Sequence, residues 1–133
     1  MEEAGPWLDA SDEHDLDRVF LVAPSSTGQR VATITGACRG FVYAASLMGI
    51  TGTRDAISAD AAGLVKRIRE HTDLPVAVGL GVSTGAQAAQ MAAFADGVIV
   101  GSAFVRRLLD GQGVPAVREL TSELSLGVRR AVP

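Results

Sequence analysis

The sequence predicts an α/β fold built on parallel strands, and three observations lead there. Four short apolar runs, RVFLVAP (18–24), GFVYAAS (40–46), PVAVGLG (75–81) and GVIVGSA (97–103), lack the polar alternation of a half-exposed strand, as expected of strands covered on both faces. The segments between them carry apolar residues at helical spacing, so each gap holds one crossover helix. After the fourth run the pattern gives two helices rather than one. This is the layout of the second half of a TIM (β/α)8 barrel, a fold that normally needs about 250 residues. The alternative is an open doubly wound sheet, for which four strands are nearly enough. Length alone does not choose between them.

Taken in order, the chain opens on EEAGPWLDASDEHDL (2–16), which reads as a helix. The first gap has Val31, Ile34 and Cys38 on one helical face, and the second has Ile57, Ala61, Leu64, Val65 and Ile68. The third, STGAQAAQMAAFA, offers Ser83 and Thr84 as N-caps and Ala88, Met91 and Ala92 as an inner stripe, because a hydroxyl before an apolar-periodic run satisfies first-turn amides. Beyond the fourth run a short helix is expected over about 103–109. A longer one follows with Val117, Leu120, Leu124 and Val128 on one face, the two being separated by Gly111, Gly113 and Pro115. The whole reads as a single partial barrel domain over 1–133, the last four βα units preceded by one helix.

A chain of 133 residues suits one domain, able to bury roughly 70% of the surface its unfolded form exposes. Its composition is 47% apolar but only 5% aromatic, which suits small side chains packed between helices and strands rather than a disordered chain. The net charge of −3 is spread without a basic stripe, which argues against nucleic acid as a partner. The single cysteine, Cys38, has no internal partner for a disulfide, and no apolar span suits a bilayer, so no membrane association is expected and the cytoplasm is the expected location.

Function enters with the glycines at two neighbouring strand ends: Gly79, Leu80 and Gly81 in VGLGVST, and Gly101 and Ser102 in IVGSAF. In barrels the loops after the last two strands, with the N-terminus of a short extra helix, frequently bind phosphate. Bare backbone lets amides approach an oxyanion, and the helix end adds unpaired N–H groups and partial positive charge. Ser102 adds a hydroxyl donor. A lone glycine pair is better read as a tight turn; two pairs on adjacent strands with a doubled helix favour phosphate. Gly79, Gly81 and Gly85 also make a loose dinucleotide pattern. That reading fails, since the next strand lacks the acidic residue that would hold a ribose and the motif belongs on the first strand of its unit.

The loop SLMGITGTRD (46–55) brackets Ile50 and Thr51 between Gly49 and Gly52, the composition of a lid over strand ends, though equally of an ordinary loop. Tyr43 lies within a strand and faces either packing or a ligand. Cys38 reads as a small buried hydrophobe. His71 suits a contact with a helix C-terminus better than catalysis. RRLLD (106–110) and KRIRE (66–70) read as solvated helix faces.

The stretches VFLVAPSST, GFVYAASLMGITG, PVAVGLGVST and ADGVIVGSAFV, in this order, resemble the tryptophan synthase α subunit family over nearly the whole chain. The resemblance implies a barrel lyase that cleaves indole-3-glycerol phosphate to indole and glyceraldehyde 3-phosphate. It also implies no cofactor in the α chain and, as partner, the tryptophan synthase β subunit in an α–β heterotetramer. Carried over to this chain, Gly79, Leu80, Gly81, Gly101 and Ser102 match positions around the substrate phosphate, with Gly52 adding a contact from the loop. Tyr43 and Ile99 match pocket-lining side chains, and Thr51 matches a loop hydroxyl that orders when the site closes. Two positions depart: the family commonly has phenylalanine at Leu80 and arginine at Leu47.

Cleavage of this substrate needs a proton given to the indole ring and another taken from a glycerol hydroxyl, work for two carboxyl groups. In the family both come from the early strands, which find no match here. Asp55 and Asp60 match neither motif, so no catalytic residue is assigned and the remaining N-terminal half of a barrel is an expected partner. The competing expectation is a catalytically inactive half-barrel that serves binding or assembly. A different phosphate-binding barrel, such as an isomerase of histidine biosynthesis, is opposed by FVYAASLMGITG.

Overall fold

The computed structural model describes residues 1–46, 54–79 and 81–130. Helix α1 (Gly5–Glu13) precedes four βα units: β1 (Leu21–Val22), α2 (Gly28–Ala37), β2 (Val42–Ala45), α3 (Arg54–Arg69), β3 (Val76–Gly79), α4 (Gly85–Ala92) and β4 (Gly97–Ile99), then α5 (Ser102–Leu109) and α6 (Gly113–Arg130). All strand pairs are parallel and the sheet order is β1-β2-β3-β4. That order decides between the two architectures. A doubly wound sheet reverses direction at a switch point, whereas here each strand is added on the same side, as in a barrel.

The strands are shorter than the apolar runs. The last run, expected as strand over 97–103, stops at Ile99, and α5 starts at Ser102 with Gly101 as its N-cap. The expected opening helix over 2–16 contracts to Gly5–Glu13, with Pro6 in its first turn, where no N–H is needed. Thr84 rather than Ser83 is the N-cap of α4, in a reciprocal capping box with Gln87. Thr27 caps α2 by accepting from the Arg30 amide at 3.3 Å.

The strand register separates two faces. Val22, Val42, Ala44, Val76 and Val78 are almost fully buried beneath the helices, against Val31, Ile34, Leu64, Val65, Ile68, Ala88, Met91, Leu120 and Leu124. On the other face stand Leu21, Tyr43 and Ala77, each paired to the next, and one pair further along Ala45, Gly79 and Ile99. On this second face Leu21 is 57% exposed and Tyr43 and Ile99 are half-buried, while Ala45, Ala77 and Gly79 are buried. The expectation of strands buried on both faces therefore holds for β3 and fails at the edge strands β1 and β4. Cys38 lies in the core, and burial raises its thiol pKa, the small-hydrophobe role expected of it.

Two local devices set the geometry at the site. Helices α4 and α6 cross at Gly85 and Gly127 with backbone against backbone: a Cβ on Gly85 would sit 2.7 Å from the Glu123 carbonyl oxygen, and one on Gly127 would collide with the Gly85 carbonyl. Glu123 then caps α4, its Oε1 accepting from the Gly85 amide at 2.6 Å. Gly85 thus serves helix packing, which is why the loose dinucleotide spacing carries no ligand meaning. At the opposite end of the strands, Asp96 Oδ2 accepts from the Val76 amide and from Arg69 Nη2, both at 2.9 Å. The first of these is the main cause of its lowered carboxyl pKa.

Candidate functional site

Residues from three adjacent strands pack together on the face opposite the core helices. Gly79 and Ile99 are register partners, and Tyr43 leans across them from β2. A Cβ built on Gly79 would fall 2.5 Å from Tyr43 Oη, 2.9 Å from Tyr43 Cζ and 2.9 Å from Ile99 Cβ. Gly79 is bare because the tyrosine ring and the isoleucine occupy that space. Tyr43, Gly79 and Ile99, three of the residues the sequence singled out, therefore form one contiguous patch.

A second group stands beside it. Gly81 has φ 85°, a left-handed conformation that glycine alone adopts without strain. It lines a cleft of about 490 Å³ together with Ser83, Thr84, Ser102, Ala103, Arg106, Arg107, Asp110 and Leu120. Gly101, just before Ser102, is exposed, and a Cβ there would meet nothing within 4 Å. Crowding therefore gives no reason for a glycine at that position, unlike Gly79 and Gly85. The Gly101 carbonyl accepts from the Phe104 and Val105 amides at 3.0 and 3.2 Å, which starts the helix.

The two helix starts at the cleft differ. At α4 the first-turn donors are taken internally, by Thr84 Oγ1 on the Gln87 amide and by Glu123 on Gly85. At α5 no side chain caps the first turn, so the Ser102 and Ala103 amides, which precede the first bonds to the Gly101 carbonyl, stay available to a ligand. With the macrodipole of α5 behind them these amides suit an anion.

Of the other site residues, Thr51, Gly52 and Leu80 lie outside the described residues, as does Leu47. His71 stands just past α3, exposed, its amide bonded to the Ile68 carbonyl at 2.9 Å. Asp60 is an exposed residue of α3. The surprise is the pair Arg106 and Arg107. Both are exposed, as read from RRLLD, yet both border the cleft. The signal was in the spacing: Ser102 and Arg106 are one helical turn apart and share a face. Among the described residues, no three His, Cys, Asp or Glu side chains are grouped as a metal site, and no helix is long and apolar enough to cross a membrane.

Fold and site together define a class: a parallel (β/α) barrel half whose candidate ligand groups collect where β3 and β4 end, between a glycine turn and a short extra helix. A family model described as tryptophan synthase alpha chain matches residues 1–126. The tryptophan synthase alpha chain of Mycobacteroides abscessus is 63% identical over 130 residues, which is 98% of this chain and 49% of the relative. That of Nocardia farcinica is 60% identical, over 98% of this chain and 48% of the relative. Tryptophan synthase from M. tuberculosis, solved in an aminoacrylate-bound form, matches with a TM-score of 0.81 at 54% identity, over 96% of this chain and 46% of the matched one. Tryptophan synthase subunit alpha from Campylobacter jejuni matches at 0.80 and 29%, over 93% and 48%.

The chain belongs to the tryptophan synthase alpha chain family, and its four βα units are those of the second half of the TIM barrel. It spans about half the length of the curated relatives it matches.

Proposed function

We propose that this chain carries the phosphate-binding half of a lyase that cleaves indole-3-glycerol phosphate. In that reaction the bond between indole C3 and the glycerol chain breaks, the adjacent hydroxyl loses its proton to become the aldehyde of glyceraldehyde 3-phosphate, and indole C3 takes up a proton. Two carboxyl groups suit the two proton transfers, and none is assigned in these 133 residues.

What this half contributes is grip and walls. The observation that carries the reading is the cleft in which Gly81, held at φ 85°, meets Ser102 at the uncapped start of α5. Amides of Gly81, Ser102 and Ala103 would hold the phosphate, with the Ser102 hydroxyl as a further donor. Tyr43 and Ile99 would line the indole side, with Gly79 making room for both. Gly101 lets the phosphate approach the backbone. By the family resemblance Leu80 would stand near the phosphate, Gly52 would add a contact to it and Thr51 would supply a hydroxyl that orders when the site closes.

The reading places the chain in the cytoplasm, beside the remaining half of a barrel and a tryptophan synthase β subunit that receives the indole, with no cofactor of its own. An assembly module without activity has no observation in its favour over this reading. Titration of the isotope-labelled chain, completed with the N-terminal half of a relative's barrel, with glycerol 3-phosphate tests it: the amide resonances of Gly81, Ser102 and Ala103 are expected to move together. Unmoved resonances there overturn the proposal. Indole release by this chain alone, free of host enzyme, would overturn the assignment of the acid and base to other residues.

A further inference from the structure

The cleft beside Gly81 and Ser102 is more than a ring of backbone donors, since two guanidinium groups border it. We propose that Arg106 supplies the full positive charge of the phosphate site and makes it selective for a doubly charged phosphate monoester. This rests on the phosphate reading above and adds the residue that balances the ligand's charge.

Main-chain amides and a helix end offer only a fraction of a unit charge, while a phosphate monoester near neutral pH carries close to two. The position of Arg106 meets that shortfall. It lies one helical turn after Ser102 and borders the same cleft. Long side chains on a helix lean toward its N-terminus and cover the preceding turn, which carries the guanidinium toward the amides of Ser102 and Ala103. Its neighbours differ in role. Arg107 Nη1 donates to Gln112 Oε1 at 3.1 Å, tying it to the turn after α5. Asp110, the C-cap of α5, borders the far end of the cleft. Among the described residues it forms no ion pair with Arg106, so the cleft's charge is graded along α5 from cationic near Ser102 to anionic at Asp110. A guanidinium grips phosphate through paired N–H donors, and loss of such a charged bond weakens binding by about tenfold or more.

The test compares the parent chain with Arg106→Gln and Arg106→Lys, each completed with the N-terminal half of a relative's barrel, in glycerol 3-phosphate titrations followed at the Gly81 and Ser102 amides, at low and high salt. Arg106→Gln is expected to raise Kd about tenfold and to remove most of the salt dependence that a full charge imposes. Arg106→Lys is expected to keep the salt dependence with intermediate affinity. If the parent chain responds and Arg106→Gln binds as tightly with the same salt dependence, the inference fails while the phosphate site stands. If the parent amides do not respond at all, both fall.

Discussion

At the scale of single residues, the glycines of this chain answer to three different causes. Gly81 is required by its left-handed backbone. Gly79 is required by the tyrosine ring and isoleucine packed over it. Gly101 is neither left-handed nor crowded, since a Cβ there would meet nothing within 4 Å, and its bareness leaves room for something that approaches from outside. The cause at Gly79 gives a direct expectation. Gly79→Ala puts a methyl in contact with Tyr43 and Ile99 and should destabilise the chain by about 1–3 kcal/mol, read as a lower urea midpoint. In a Tyr43→Ala background the cost of Gly79→Ala should be smaller but not abolished, because the contact with Ile99 at 2.9 Å remains. Equal urea midpoints for Gly79→Ala and the parent would show that Tyr43 does not pack over Gly79.

At the scale of elements, β3 and β4 are held together by Asp96 at one end, while the crossing of α4 and α6 supports the other. Asp96 stands at the start of β4, and its carboxylate bonds the first amide of β3. That bond, with Arg69, holds its carboxyl below the usual carboxylate range. A carboxyl depressed in the folded state contributes stability above its unfolded value of about 4. The contribution is lost as pH falls through the lower folded value. Asp96→Asn should therefore be less stable than the parent near neutral pH, with the difference shrinking on acidification below about pH 4. Urea unfolding across that range measures it, and a difference independent of pH contradicts the linkage. The Asp96 side chain is about half exposed, so solvent screening keeps the effect modest.

At the scale of the whole molecule, the sheet has a covered side and an open one. Strands β1 and β4 are its edges among the described residues, and Leu21, Tyr43 and Ile99 stand on the face opposite the core helices. Leu108 and Leu109 of α5 add to the exposed apolar surface, Leu109 at 81%. Unpaired edges and contiguous apolar faces promote association. The purified chain at micromolar concentration should sediment faster than a single copy, and supplying the complementary half of a relative's barrel should suppress that self-association. A sharp monomer peak without the other half contradicts this account of the open face.

The parallel α/β class and nearly all the helices were legible in the sequence, because buried strands and amphipathic helices each impose a period that side chains must obey. Val22, Val42, Val76 and Val78 fell in the core for that reason, whereas Tyr43 and Ile99, which pack together over Gly79, were paired only by the family resemblance. The strand ends were less legible, since an apolar run continues past the last ladder bond: Val100 is apolar yet lies beyond β4. Two matters were left to the tertiary structure. Strand order, which decided between a barrel and a doubly wound sheet, depends on pairing between distant segments that no local pattern records. The place of Arg106 beside Gly81 likewise depends on how α5 docks next to the β3–α4 turn, because residues 25 positions apart become neighbours only when two strands align side by side.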